Sequence, residues 1–196
     1  MTKETKWSID RDHSEISFKV KHLMIANVFG RFKTFDASIY TTGRDFTTAQ
    51  VDFWIEAASI STGNDNRDEH LRGADFFNIK KHKQITFSSS TMPKPDKDGN
   101  QELWGELTMN GIIKNVMFTV QFGGFVNDHT GNEKAGFSLL GKINRKDWGL
   151  VWNTELDSGG FMVSDEITIS CEIELVNVSL KGVIMLLEDS PEEIFQ

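Results

Sequence analysis

Glu15-Ile16-Ser17-Phe18-Lys19-Val20-Lys21 is the stretch that decides the fold class of this chain. Ile16, Phe18 and Val20 fall on one side of an extended backbone, and Glu15, Ser17, Lys19 and Lys21 fall on the other. That is the period of two of a half-buried strand, not the 3.6 of a helix. The same alternation recurs downstream. Val51, Phe53, Ile55 and Ala57 alternate with Asp52, Trp54 and Glu56, and Ile85 with Phe87 repeats the pattern. Leu103, Leu107 and Met109 share a side with Gly105 between them. Val116, Phe118, Val120 and Phe122 follow Asn110-Gly111, the dipeptide favoured by a two-residue hairpin. Phe137, Leu139, Gly141 and Ile143, then Ile167, Ile169, Cys171, Ile173 and Leu175, complete the series. With residues 35–40 included, about eight strands joined by short turns predict an all-β antiparallel meander.

Two stretches break the alternation. Residues 22–29 lose it and end at Gly30, which predicts one helical turn between strands. Asp65–Arg72 is polar and predicts a short helix, capped by Asn64 or Asp65 and ended by Gly73. Asp75-Phe76-Phe77 reads as a loop that buries its rings, and Pro93, Pro95, Asp98 and Gly99 mark an exposed connection. The domain is expected over residues 5–178. Residues 179–196 form an appendage that runs from Val183-Ile184-Met185-Leu186-Leu187 into Glu188, Asp189, Glu192 and Glu193. Its acidic end reads as a solvated tail, and its apolar start suits packing on the barrel or on a partner.

Composition narrows the function classes. A net charge of −8 with no basic face argues against a nucleic-acid partner. Fifteen Phe and five Trp against one Tyr supply rings that fill dry space rather than hydrogen-bond across it. Met1 to Trp7 holds no apolar segment of a signal peptide, and the lone Cys171 fits a reducing compartment, so a cytoplasmic address is expected. No run reaches the roughly 18 apolar residues of a membrane helix. A barrel embedded in an outer membrane is disfavoured because Glu15, Lys19, Lys21, Asp52, Glu56 and Glu174 occupy the face that would meet lipid.

A sheet of this size with one apolar face must pack on a second sheet or curl onto itself. The chain lacks the Cys/Trp/Cys spacing of an immunoglobulin-type sandwich. It places Gly105, Gly124, Gly136 and Gly141 in or beside strands, where a barrel needs sharp coiling. About eight strands enclose an interior that side chains fill or that holds one small ligand. Residues 136–147 span ~40 Å extended, or ~30 Å along an axis tilted by about 40°. That length suits a chain-like molecule, whose burial supplies about 0.8 kcal/mol per CH₂.

Several motifs, in order, resemble one family. Trp7-Ser8-Ile9-Asp10, His13-Ser14-Glu15-Ile16-Ser17-Phe18-Lys19-Val20-Lys21-His22-Leu23 and Val28-Phe29-Gly30-Arg31-Phe32 are similar to the opening of the YceI-like polyisoprenoid-binding proteins. The resemblance continues through Ser59-Ile60-Ser61-Thr62-Gly63-Asn64, Arg67-Asp68-Glu69-His70-Leu71 and Ile85-Thr86-Phe87. It resumes at Gly105-Glu106-Leu107-Thr108-Met109-Asn110-Gly111, Ile143-Asn144-Arg145-Lys146-Asp147-Trp148-Gly149 and Asp165-Glu166-Ile167. It implies an extended lipocalin-like barrel of eight antiparallel strands, often a homodimer, enclosing an isoprenoid, quinone or fatty-acyl-type ligand. Many relatives are exported, whereas this chain shows no signal, and the tail after Ser179 is additional. The expected ligand wall is Phe18, Val20, Phe53, Ile55, Phe87, Leu107, Met109, Phe118, Val120, Phe122, Phe137, Leu139 and Ile169, with a polar group near His22, Arg67 or His70. Simple core packing is the competing reading of the same phenylalanines.

Other chemistry finds weaker footing. His13, His22, His70 and His82 lack metal-ligand spacing and no Cys cluster accompanies them, so no metal and no cofactor is expected. Arg67-Asp68-Glu69-His70 reads first as a solvated helix with local pairing. Its functional version places Arg67 or His70 at the barrel mouth against a polar head group. Asn144 to Gly149 reads as turn chemistry, and Ser158-Gly159-Gly160 lacks the following Lys of a phosphate loop and reads as a hairpin connection. No nucleophile–base pair is evident, so a carrier or store, not an enzyme, is expected. The alternatives are an enzyme acting on a hydrophobic substrate and a stress or interaction protein with a solid core.

Overall fold

The alternating segments become strands in one sheet. The computed structural model describes residues 4–89, 92–155 and 162–179. Ser158-Gly159-Gly160 and the acidic tail lie outside the described residues. The elements are β1 (Glu4–Ile9), β2 (Glu15–His22), β3 (Ala26–Phe32), β4 (Phe35–Thr42), β5 (Asp45–Glu56), β6 (Ile60–Ser61), α1 (Asp65–Arg72), β7 (Gln84–Ser89), β8 (Asn100–Met109), β9 (Ile112–Asn127), β10 (Glu133–Asn144) and β11 (Val163–Asn177). Every strand pairing is antiparallel.

Eight strands close a barrel in the order β1-β4-β5-β7-β8-β9-β10-β11 and back to β1. β11 makes closure possible. One of its edges pairs with β10 from Glu166 to Val176. The other edge is shared: Val163 to Glu172 pairs with β2, and Leu175 to Asn177 pairs with β1. β2 continues to β3 and β6, which thicken the upper rim. The registers put the predicted apolar sets on one side. Phe18 lies opposite Ile169, Leu139 opposite both Cys171 and Val120, and Phe87 opposite both Phe53 and Leu107.

The local signals are met with one exception. Asn64 caps α1, its side chain accepting from Arg67 N, and Gly73 ends it. Asn110 and Gly111 form the hairpin turn with φ of 52° and 76°. The helical turn expected within residues 22–29 is instead a tight β2–β3 hairpin, with Leu23 and Met24 in left-handed backbone at φ 51° and 61°. His22 pairs with Ala26 across it, so strand pairing on both sides overrides the broken alternation.

A charged cluster fastens the seam where β1, β10 and β11 meet. Lys134 Nζ lies 3.0 Å from Asp10 Oδ2 and 2.6 Å from Glu174 Oε1, and His13 Nδ1 lies 3.0 Å from Asp10 Oδ2. Burial pushes the Asp10 carboxyl up, but hydrogen bonds from Lys134 and His13 outweigh it and hold the group below its ordinary value. Hydrogen bonds to Glu174 and then to Asp10 raise the Lys134 ammonium, with burial opposing. The depressed Asp10 contributes stability above the ordinary carboxylate value of about 4, lost as pH falls through its lower folded value. The raised Lys134 contributes fully below about 10.4, and this is lost as pH rises through its higher folded value. Urea midpoints of the wild type and Lys134→Met are therefore expected to differ most between about pH 4 and 10 and to converge outside that window.

Candidate ligand-binding cavity

The barrel interior is hollow. Its cavity measures about 570 Å³, within the usual range of ~300–1,000 Å³ for small-molecule sites. The structure puts on its wall Phe18, Val20 and His22 of β2, Phe53 and Ile55 of β5, Phe87 of β7, and Leu107 and Met109 of β8. Phe118 and Val120 of β9, Phe137 and Leu139 of β10, Ile169 of β11, and Arg67 and His70 of α1 join them. Residues outside the expected set also line it, among them Ile39, Phe46, Phe76, Phe77 and Trp152. Ile39 lies in a strand whose alternation was legible. Phe76, Phe77 and Trp152 come from loops that carry no period to betray which way a ring faces.

The void survives because phenylalanines lie back against bare backbone, Phe18 and Phe118 and also Phe87, whose Cζ would stand 2.5 Å from a methyl at residue 105. Phe18 lies opposite Gly30 on β3, and Phe118 opposite Gly141 on β10. A methyl at residue 30 would stand 2.3 Å from Phe18 Cζ, and one at residue 141 would stand 2.6 Å from Phe118 Cδ1. Each ring tip therefore occupies the place of its neighbour's missing side chain instead of reaching for the barrel axis. Gly141→Ala is expected to lift Phe118 from the wall, costing about 1–3 kcal/mol of overpacking in urea unfolding.

The lower end is closed by aromatic rings. A bulge at Gly123 shifts the register between Gly136 and Phe137, and Gly124 takes φ 115°. Strand alternation slips there, so Phe122 and Phe125, three apart, meet edge-to-face at 4.9 Å, with Phe122 at 5.1 Å from Phe137 and Phe46 at 4.7 Å from Phe137. Trp7 abuts Phe46 at 5.2 Å. Arg44 lies over Phe125 at 5.2 Å and pairs with Glu133, which also accepts from Asn177 Nδ2 at 2.8 Å. Phe122 is accordingly the one residue of the expected wall that the cavity lining does not include: it belongs to this plug. Cavity-lining residues on β11 run from Val163 to Leu175, nearly the whole strand.

Polar side chains gather at the opposite end. α1 is tied to the segment before it: Asp68 accepts from Thr62 N at 2.9 Å and from Thr62 Oγ1 at 2.5 Å. Arg72 donates to Ala58 O at 2.7 Å and Ile60 O at 2.8 Å. These two residues are structural, which leaves Arg67 and His70 of the same helix to line the cavity with Thr62 and Asn66. Arg67 Nε donates to Thr62 Oγ1 at 2.7 Å and Nη2 to Thr62 O at 3.0 Å. Among the described residues no carboxylate pairs with Arg67. The His70 ring stands edge-on to Trp152 at 4.8 Å and Phe76 at 5.1 Å, with Nε2 3.1 Å from Asp75 Oδ2.

Arg145, in the 3₁₀ turn after β10, is 2% exposed and also lines the cavity. It donates to the carbonyls of Leu150, Trp152 and Ser164 and lies 3.3 Å from Asp165 Oδ1. Burial lowers its pKa while Asp165 opposes the shift, and an arginine keeps its charge through such a change. It serves as an internal clamp on the rim. Trp148 of the same turn donates from Nε1 to Leu107 O at 3.1 Å, and its carbonyl accepts from Asn110 Nδ2 at 3.2 Å.

Two further groups settle as structural. Burial pushes the Cys171 thiol up to about 12, so it stays protonated and unreactive on the wall. Asp10, His13 and Glu174 offer ligand atoms within 4.8 Å of one another, but the Lys134 ammonium already stands between the two carboxylates.

Comparison with known proteins matches this arrangement. The model of the YceI-like domain fits residues 7–175. The chain belongs to the YceI-like family. A UPF0312 protein of Staphylococcus epidermidis is 34% identical over 171 residues, covering 87% of this chain and 96% of the relative. The crystal structure of the Campylobacter jejuni YceI protein superposes with a TM-score of 0.66 at 35% identity, covering 85% of this chain and 95% of that one. A polyisoprenoid-binding domain from Saccharophagus degradans shares the fold with a TM-score of 0.60 at 15% identity, covering 87% of this chain and 98% of that one.

Proposed function

We propose that this YceI-like protein carries or stores one long apolar molecule of isoprenoid, quinone or fatty-acyl type, without catalysis. The observation that carries the reading is a hollow of about 570 Å³ walled by apolar side chains, with its charged side chains gathered at the α1 end. A chain inserted from that end meets Met109, Leu107 and Ile169 before it stops at Phe46 and Phe137 of the plug. Its polar end stays beside Arg67, His70, Asn66, Thr62 and His22. An Arg67 guanidinium without a carboxylate partner among the described residues suits phosphate or carboxylate. Apolar burial supplies the affinity, at about 0.8 kcal/mol per CH₂. The description of the Saccharophagus degradans domain as polyisoprenoid binding supports the same class of ligand. A homodimer belongs to the proposal on family grounds.

Native mass spectrometry and solvent extraction of the purified protein test it. Bound lipid, or uptake of added polyprenol or fatty acid, is the expected result; neither appearing would overturn the reading. Leu139→Glu is expected to abolish uptake while circular dichroism still reports a folded barrel. Arg67→Gln should weaken a phosphate- or carboxylate-headed chain by about ten- to a hundredfold and leave the corresponding alcohol unchanged.

A further inference from the structure

The β2–β3 hairpin departs from the turn chemistry seen elsewhere in the barrel. Leu23 and Met24 hold its two central positions at φ 51° and 61°, the backbone that Asn and Gly normally supply and that larger side chains adopt at a cost. The β8–β9 hairpin meets the same demand with Asn110-Gly111. In the β2–β3 tip Met24 is 54% exposed, Ile25 is 84% exposed, and Phe29 on the outer face of β3 is 66% exposed. Leu23 is half-buried, but the strain at Met24 gains little burial in return. Strain retained without compensating packing points to a task outside the fold.

The tip also has a defined position and charge. His22, its first residue, lies on the cavity wall. Leu23 N donates to Met162 O at 2.8 Å, which fixes the tip to the rim strand. Exposed Val151 lies in the neighbouring rim loop, next to the Leu150 and Trp152 carbonyls that Arg145 holds. Below the tip, Lys19 and Lys21 project from the outer face of β2, and among the described residues neither forms an ion pair. On a chain of net charge −8, an apolar tip flanked by two lysines that form no ion pair among the described residues complements an anionic lipid surface.

We propose that the β2–β3 tip docks on an anionic phospholipid bilayer, seating Met24 and Ile25 among the outer acyl chains and Lys19 and Lys21 against the phosphates. Given the reading of the cavity as an apolar-chain site, docking turns its mouth toward the membrane from which such a chain would be drawn.

Flotation of the full chain with phosphatidylcholine vesicles, with and without phosphatidylglycerol, tests the surface. The wild type is expected to float with the anionic vesicles. Met24→Ser with Ile25→Ser lowers partitioning about tenfold or more, and Lys19→Gln and Lys21→Gln each lower it about fivefold on anionic vesicles only. Leu23→Asn with Met24→Gly separates folding from docking: the relaxed turn is expected to raise the urea midpoint while weakening flotation. Flotation that fails in the wild type, or that these variants leave unchanged, overturns the proposal. So does a dimer that Ile25→Ser converts to monomer in sedimentation velocity while vesicle binding stays the same, because the tip is then a self-association surface. Uptake of polyprenol in vesicle-free solution, read by native mass spectrometry, keeps the two readings apart. Uptake without flotation removes the docking surface alone, and flotation without uptake removes the cavity reading alone.

Discussion

Main-chain pairing along β11 is the constraint on which the barrel depends. An unpaired strand edge exposes a row of donors and acceptors, and closure removes that liability. β11 has fifteen residues, enough to give its upper part to β2 and its lower part to β1 along a single edge. The chain thereby closes through β1, while β2, β3 and β6 extend the sheet along the upper rim. The Lys134 cluster sits on this seam, linking the turn after β1 with β10 and β11. Its carboxylates and ammonium satisfy one another, which leaves no vacancy for a metal.

Closure creates an interior, and side-chain geometry decides how much of it is filled. Protein interiors are close-packed, and a void forfeits dispersion contacts along its lining. Here the lower end is filled by rings from Phe46, Phe122, Phe125 and Phe137. Above them, Phe18 and Phe118 lie back over Gly30 and Gly141, and the axis stays clear. The same residue type thus plugs one end and lines the other. A guest chain would restore the missing contacts, so the hollow and the apolar ligand are two sides of one packing problem.

Charge is distributed with the same asymmetry. The chain is acidic overall, yet the α1 end of the cavity presents Arg67, without a carboxylate partner among the described residues, and the outer face beside it presents Lys19 and Lys21. Arg145 differs, because its guanidinium is spent on three carbonyls and Asp165. It holds the rim loops together, whereas Arg67 bonds only to Thr62 among the described residues.

Strand identity, inward faces, the Asn110-Gly111 hairpin and the caps of α1 were determined by sequence alone, because alternation and turn preference are local. Twelve of the thirteen apolar side chains expected on the wall reached it for that reason. Phe122 did not: it keeps the phase of Phe118 and Val120 and lies opposite Phe137, but it sits at the lower end, 40% exposed, among the rings of the plug. Residues 22–29 formed a hairpin because both flanking segments found partners across the sheet. Arg145 read as turn chemistry, but its burial depends on Leu150, Trp152 and a strand nineteen residues away. The hollow itself was a tertiary decision: Phe18 and Phe118 carry the same sequence signal whether they fill a core or line a cavity. Only their placement over Gly30 and Gly141 on neighbouring strands distinguishes the two.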